Sequence, residues 1–89
     1  MAALFHLSIL LPGKVAYETE ASSLVVPAEL GYLGVLAHHA PIIAQLRPGN
    51  ITLRDSHDTT TSFTLKSDGF LEFSDNKATI LLDSLELQS

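Results

Sequence analysis

The 89-residue sequence predicts a small all-β domain, and three observations carry that prediction. Apolar and polar residues alternate with a period of two in several short segments, the period that sends successive side chains to opposite faces of a strand. Glycine, proline, asparagine and aspartate recur between these segments at short intervals, where turns need them. No long segment keeps a helical apolar rhythm. About nine or ten short strands at regular spacing make the pattern of a sandwich or barrel.

In order along the chain, Phe5, Leu7, Ile9 and Leu11 alternate with His6, Ser8 and Leu10, which places the first set on one face of an opening strand. Pro12-Gly13-Lys14 reads as a turn, proline setting φ and glycine accepting the positive φ of a type II corner. Val15 to Tyr17 is a second short extended piece, and Ser23-Leu24-Val25-Val26-Pro27 is a β-branched run closed by a proline. Ala28 to Leu46 is rich in alanine and leucine, so a helix competes there. Gly31, Gly34 and Pro41 would cost that helix about 1 kcal/mol per glycine and about 3 kcal/mol for the proline. Short extended pieces and tight turns are therefore expected, ending in the apolar run Ile42 to Leu46. After Pro48-Gly49-Asn50, Ile51 to Arg54 alternates cleanly, Asp55 to Asp58 makes a polar hairpin loop, and Thr59 to Leu65 returns. Ser67-Asp68-Gly69 then leads into Phe70 to Phe73, a turn at Asp75-Asn76-Lys77, and a last strand from Ala78 to Asp83. The domain is expected over residues 1–84, with 85–89 a short tail lacking a clear element.

Ten acidic and five basic residues give a formal net charge of −5. Lys14, Arg47, Arg54, Lys66 and Lys77 stand singly, so there is no basic patch to displace counterions from phosphates, and nucleic-acid binding is not expected. Without cysteine, neither disulfides nor thiolate metal sites are available. No run approaches the ~18–20 apolar residues that cross a bilayer, and Met1 to Leu11 lacks the basic start of a signal peptide. Hydrophobic residues still make up 46% of the chain, with mean hydropathy +0.27. That is high for a small soluble domain, and part of the apolar surface is expected to belong to an interface.

The residues of catalysis are present but not in working arrangements. His38 and His39 are adjacent, and in a strand neighbouring side chains diverge, which makes a poor chelating pair; no metal site is expected. Serine, histidine and aspartate occur without a Gly-x-Ser-x-Gly elbow. Gly31-x-x-Gly34 lacks the third glycine or lysine of a phosphate cradle, and a backbone role suits it better. Glu18 and Glu20, two apart, are expected to share one solvated face rather than form a general acid/base pair. No catalytic residue, cofactor or metal is expected, and the chain is not read as an enzyme.

Three ordered segments carry a resemblance. They are Val25-Val26-Pro27 with Gly31-Tyr32-Leu33-Gly34-Val35-Leu36; His39-Ala40-Pro41-Ile42-Ile43 through Pro48-Gly49; and Gly69-Phe70-Leu71-Glu72-Phe73 through Ala78-Thr79-Ile80-Leu81-Leu82-Asp83. Together with the opening His6-Leu7-Ser8-Ile9-Leu10 they resemble the N-terminal domain of the ATP synthase ε subunit, called δ in mitochondria. The resemblance covers about Phe5 to Ser84 and implies a flattened β-sandwich of about ten short strands. It also implies a non-catalytic rotor role at the foot of the central stalk, joining the γ subunit to the membrane c-ring so that ion-driven rotation reaches the catalytic head. Its location would be peripheral, at the cytoplasmic face of a bacterial plasma membrane or an equivalent energy-transducing membrane.

By the same resemblance, Glu29, Leu30, Gly31 and Tyr32 form the c-ring-facing loop, and His38, His39, Ala40, Pro41, Ile42 and Ile43 the γ-facing surface. Relatives often carry glutamate where Leu30 and Tyr32 stand, which leaves Glu29 the acidic residue there and points to a contact more apolar and hydrogen-bonding than ionic. His38 replaces a glycine common before His39, so a different backbone is expected at that place. Relatives continue into two helices that restrain hydrolysis and in some bacteria bind ATP. The sequence stops within a few residues of the sandwich, so no bound ATP and no strong hydrolysis block are expected. The alternative is a free-standing sandwich that binds a carbohydrate or other small ligand, which calls for exposed aromatics on one face.

Overall fold

The alternation at the start of the sequence is realised in β1 (Phe5–Leu11), where Phe5, Leu7 and Ile9 are buried and His6, Ser8 and Leu10 look outward. The computed structural model describes residues 3–83 and 86–88. Among them, β1 is followed by β2 (Lys14–Ala28), β3 (Gly31–Leu36), β4 (Ile42–Leu46), β5 (Gly49–Asp55), β6 (Thr60–Leu65), β7 (Gly69–Ser74), β8 (Lys77–Leu82) and β9 (Glu86–Gln88), with no helix. The all-β prediction holds.

Strand β2 runs unbroken over 15 residues where the sequence suggests two short pieces. Its polar middle, Glu18 to Ser22, signals no strand on its own, but it is paired to β1 along Phe5↔Ala21 to Ile9↔Tyr17. Tertiary pairing overrides the local preference here. Register shifts opposite Ile9/Leu10 and between Ala21 and Ser23 mark bulges, which bend a strand. The two halves of β2 consequently serve two sheets. One has the order β4-β7-β8-β1-β2 and the other β3-β2-β5-β6-β9, and the pair Ala28↔Leu46 joins β4 back to β2 so that the hydrogen bonding is continuous. With the shared strand counted in each, the sandwich has the ten strand segments expected of it. β9 is the second departure: residues 86–88, read as part of a featureless tail, pair with Ser62 to Thr64 of β6. The residues just before them, 84 and 85, lie outside the described residues.

The two inner faces meet in one apolar core that includes Leu7, Ile9, Leu24, Val26, Ile51, Leu53, Leu71 and Ile80, all at most 1% exposed. Phe5 and Phe73 meet edge to face with ring centroids 5.6 Å apart, and Tyr17 and Phe63 do so at 5.0 Å. Phe70, in contrast, is 52% exposed. Its parity with Glu72 rather than with Leu71 and Phe73 puts it on the outer face.

The glycines divide by physical cause. Gly13 has φ +77°, as the Pro12-Gly13 turn requires, and Gly31 has φ +129°. Gly49 and Gly69, read as turn glycines, instead begin strands and leave room for neighbours. A Cβ on Gly49 would lie 2.8 Å from Pro27 Cβ, and one on Gly69 2.4 Å from Leu82 Cδ2. Gly34 sits within β3 opposite Val25 with open space around it, so it has no positive-φ or close-approach role.

Candidate functional site

Strands β2 and β3 form a hairpin whose last pair, Ala28↔Gly31, leaves Glu29 and Leu30 as the two corner residues. Such corners favour Gly, Asn, Asp and Ser; Leu30 is instead an apolar side chain exposed at 100%. The hairpin is pinned to the neighbouring sheet by Glu29 N–H donating to the Gln45 carbonyl (3.0 Å) and Arg47 N–H to the Pro27 carbonyl (2.9 Å). Tyr32 is braced as well, its hydroxyl oxygen accepting from Asn50 N–H at 3.3 Å. The absent side chain of Gly49 permits this approach, since a Cβ there would stand 3.0 Å from that oxygen.

Between the edge strands β3 and β4 lies an open groove of about 370 Å³ lined by Leu30, Tyr32, Leu33, Ile42 and Ile43 among others. Ile43 is 75% exposed. The loop at Glu29 to Tyr32 and the segment from Ile42, distinct in the sequence, thus border one groove. Among the described residues, Glu29 is the one carboxylate on its wall, and no basic residue lines it.

The residues before Ile42, from 37 to 40, form a tight turn rather than a strand. His39 N–H donates to the Leu36 carbonyl at 3.2 Å, and His38 has φ +63°. Histidine here occupies the left-handed conformation that glycine adopts most easily. The His38 N–H is held by Asn76 Oδ1 at 2.7 Å. His39 donates from Nδ1 to the Ala40 carbonyl (2.7 Å) and sets its ring on the edge of Phe73 at 5.8 Å. Pro41 and Ile43, both exposed, follow directly.

Sequence reasoning missed two features on the outer face of the first sheet. Val15, Leu10, Leu81 and Phe70 are successive register partners, forming one apolar row across four strands. The signal was their parity, opposite to that of the buried residues. At the other end of that face, His6 lies between Glu20 and Glu18, donating from Nδ1 to Glu20 Oε2 (2.7 Å) and from Nε2 to Glu18 Oε1 (2.9 Å). The two glutamates share a solvated face as expected, but the histidine between them was not foreseen.

The hydrogen bond to Glu20, then that to Glu18, raises the His6 pKa above its usual 6.5. A raised folded-state pKa means that the pairing contributes fully below pH 6.5 and is lost as pH rises through the raised value. The thermal midpoint is therefore expected to fall as pH rises above 6.5, and His6→Gln to flatten that slope. An unchanged slope in His6→Gln would remove the cluster from the account.

The model of the family described as ATP synthase, Delta/Epsilon chain, beta-sandwich domain matches residues 4–88. The chain belongs to the ATP synthase delta/epsilon family. An ATP synthase epsilon chain of Protochlamydia amoebophila is 41% identical over 83 residues, covering 93% of this chain and 56% of that one. One from Moorella thermoacetica is 40% identical over 86 residues, covering 97% and 63% respectively. The chain thus spans roughly three-fifths of these delta/epsilon relatives. Its fold superimposes with TM-score 0.88 and 19% identity on a chain of the Euglena gracilis mitochondrial ATP synthase, OSCP/F1/c-ring, covering 98% of this chain and 55% of that one. A chain of the Tetrahymena thermophila mitochondrial ATP synthase central stalk/c-ring gives 0.77 at 16% identity, with 94% and 66% covered. Among the described residues of this family member, no helix is long and apolar enough to cross a membrane.

Proposed function

We propose that this domain is a non-catalytic rotor element that joins a γ-type subunit to the c-ring of an ATP synthase, so that ion-driven rotation is delivered as torque. Its place is peripheral, on the cytoplasmic face of the coupling membrane. Family membership supports the assignment. The observation that carries the ring contact is Leu30, a fully exposed apolar residue on a pinned hairpin beside an apolar groove. The turn at residues 37–41, with Ile43, presents the surface for γ.

With one carboxylate at the tip, the ring contact is apolar. A sugar-binding sandwich would want exposed aromatics together, but Tyr32 and Phe70, 62% and 52% exposed, stand on β3 and β7, which do not pair.

The test is binding of the purified protein to detergent-solubilised c-ring. Raising salt from about 0.05 to 0.5 M is expected to change affinity by less than about threefold, since little charge is involved. Leu30→Ser is expected to weaken it about tenfold, the worth of burying one leucine. No binding to the ring by the folded protein would overturn this reading. Steeply salt-dependent binding would overturn the apolar contact.

A further inference from the structure

Asn76 is the only side chain in the β7–β8 turn that reaches two other segments through its amide. The turn has two central residues, Asp75 and Asn76, at φ +50° and +58°. A two-residue hairpin of this kind needs left-handed backbone at both positions, which asparagine and aspartate tolerate. Asn76 is thus accounted for locally, yet its side-chain amide and its carbonyl are engaged elsewhere. Its Oδ1 accepts from His38 N–H at 2.7 Å, its Nδ2 donates to the Leu4 carbonyl at 2.9 Å, and its own carbonyl accepts from His6 N–H at 3.2 Å. One partner is a donor and the other an acceptor, so the amide fits in one orientation only: exchanging O and N would set like groups against each other at both ends.

The His38 end of this network holds a strained residue. A non-glycine residue at φ +63° is uncommon and persists where its surroundings fix it. The surroundings are few. His38 is exposed, and its N–H is the point at which the rest of the molecule grips the turn. His39 then stacks its edge on Phe73, which lies on the same β7–β8 hairpin that carries Asn76. One hairpin therefore supplies both the polar latch and the aromatic seat for the turn.

We propose that Asn76 is the positioning residue of the partner-facing turn: by holding the His38 amide it keeps His38 left-handed and so fixes the direction in which His39, Pro41 and Ile43 are presented. This rests on the reading that residues 38–43 face the γ-type subunit. Asn76 touches no partner itself. It acts through His38, and the two residues form a matched pair.

The pairing gives a test that a merely structural asparagine would fail. Affinity for the isolated γ subunit is measured by calorimetry for the whole protein and its variants, with chemical denaturation followed in parallel. Asn76→Gly keeps the turn's backbone freedom but removes the latch, and is expected to weaken γ binding about fivefold, the worth of one hydrogen bond. Adding His38→Gly is expected to restore affinity to within about twofold, because glycine holds a positive φ unaided. Asn76→Asp retains the acceptor for His38 but sets a carboxylate oxygen against the Leu4 carbonyl in place of the donor, so it should bind γ like the unsubstituted protein while losing stability in the parallel denaturation. Asn76→Gly that binds γ normally overturns the proposal. So does a double variant no better than the single one, or loss of binding in Asn76→Asp. If Asn76→Gly does not fold, the outcome with Asn76→Asp decides. Failure of the unsubstituted, folded protein to bind γ overturns the partner reading itself, and the proposal falls with it.

Discussion

Replacing Phe73 with alanine is expected to lower the free energy of unfolding by about 4 kcal/mol, the cost of emptying an aromatic site in a packed core. Phe73 is 1% exposed, meets Phe5 edge to face, and seats the ring of His39. An 89-residue domain has about 5–13 kcal/mol in total. The variant therefore stands near the edge of stability, and a urea titration should show a midpoint cut by roughly half. Phe73→Leu, which keeps most of the volume, should lose less than half as much. A loss under about 1.5 kcal/mol for the alanine variant would mean that the core closes over the gap and that Phe73 does not organise this end of the sandwich.

Gly69→Ala is expected to cost about 3 kcal/mol, at the upper end for overpacking. The added methyl would come 2.4 Å from Leu82 Cδ2 and 2.7 Å from the Leu81 carbonyl oxygen. The leucine can rotate, but the carbonyl belongs to the β7–β8 ladder, where Gly69 pairs with Leu82. Relief therefore requires the strands to separate locally. Gly34→Ala is the control, because nothing lies within 4 Å of a Cβ there. If the two variants unfold at the same denaturant concentration, the close approach at Gly69 is not a constraint on the fold.

The fold was legible because its signals are local. Alternation over Phe5 to Leu11 and Ile51 to Arg54, and turn residues at Pro12-Gly13 and Asp75-Asn76, survive unchanged in the structure. What was not legible depends on partners distant in sequence. The middle of β2 is a strand because β1 lies beside it, and Glu86–Gln88 because β6 does. Gly69 looks like a turn residue until the position of Leu82 is known.

The candidate site divides in the same way. Leu30 and Tyr32 were conspicuous as residues, since the resemblance sets them where glutamate often stands. That Tyr32 spends its oxygen on Asn50, and that Ile43 shares a groove with Leu30, follows only from the packing of edge strands. Asn76 is the clearest case: its sequence context, Asp-Asn-Lys, gives the turn and nothing of the grip on His38, 38 residues away.

The central claim is mechanical, that the domain couples a γ-type subunit to the ring. The most direct measurement is ATP-driven ion pumping by membranes whose ATP synthase has been stripped of this subunit. Adding the protein back should restore pumping per ATP hydrolysed, and Leu30→Ser should restore it poorly while remaining folded. Hydrolysis that continues without recovery of pumping, with the unsubstituted protein present in excess, would contradict the account.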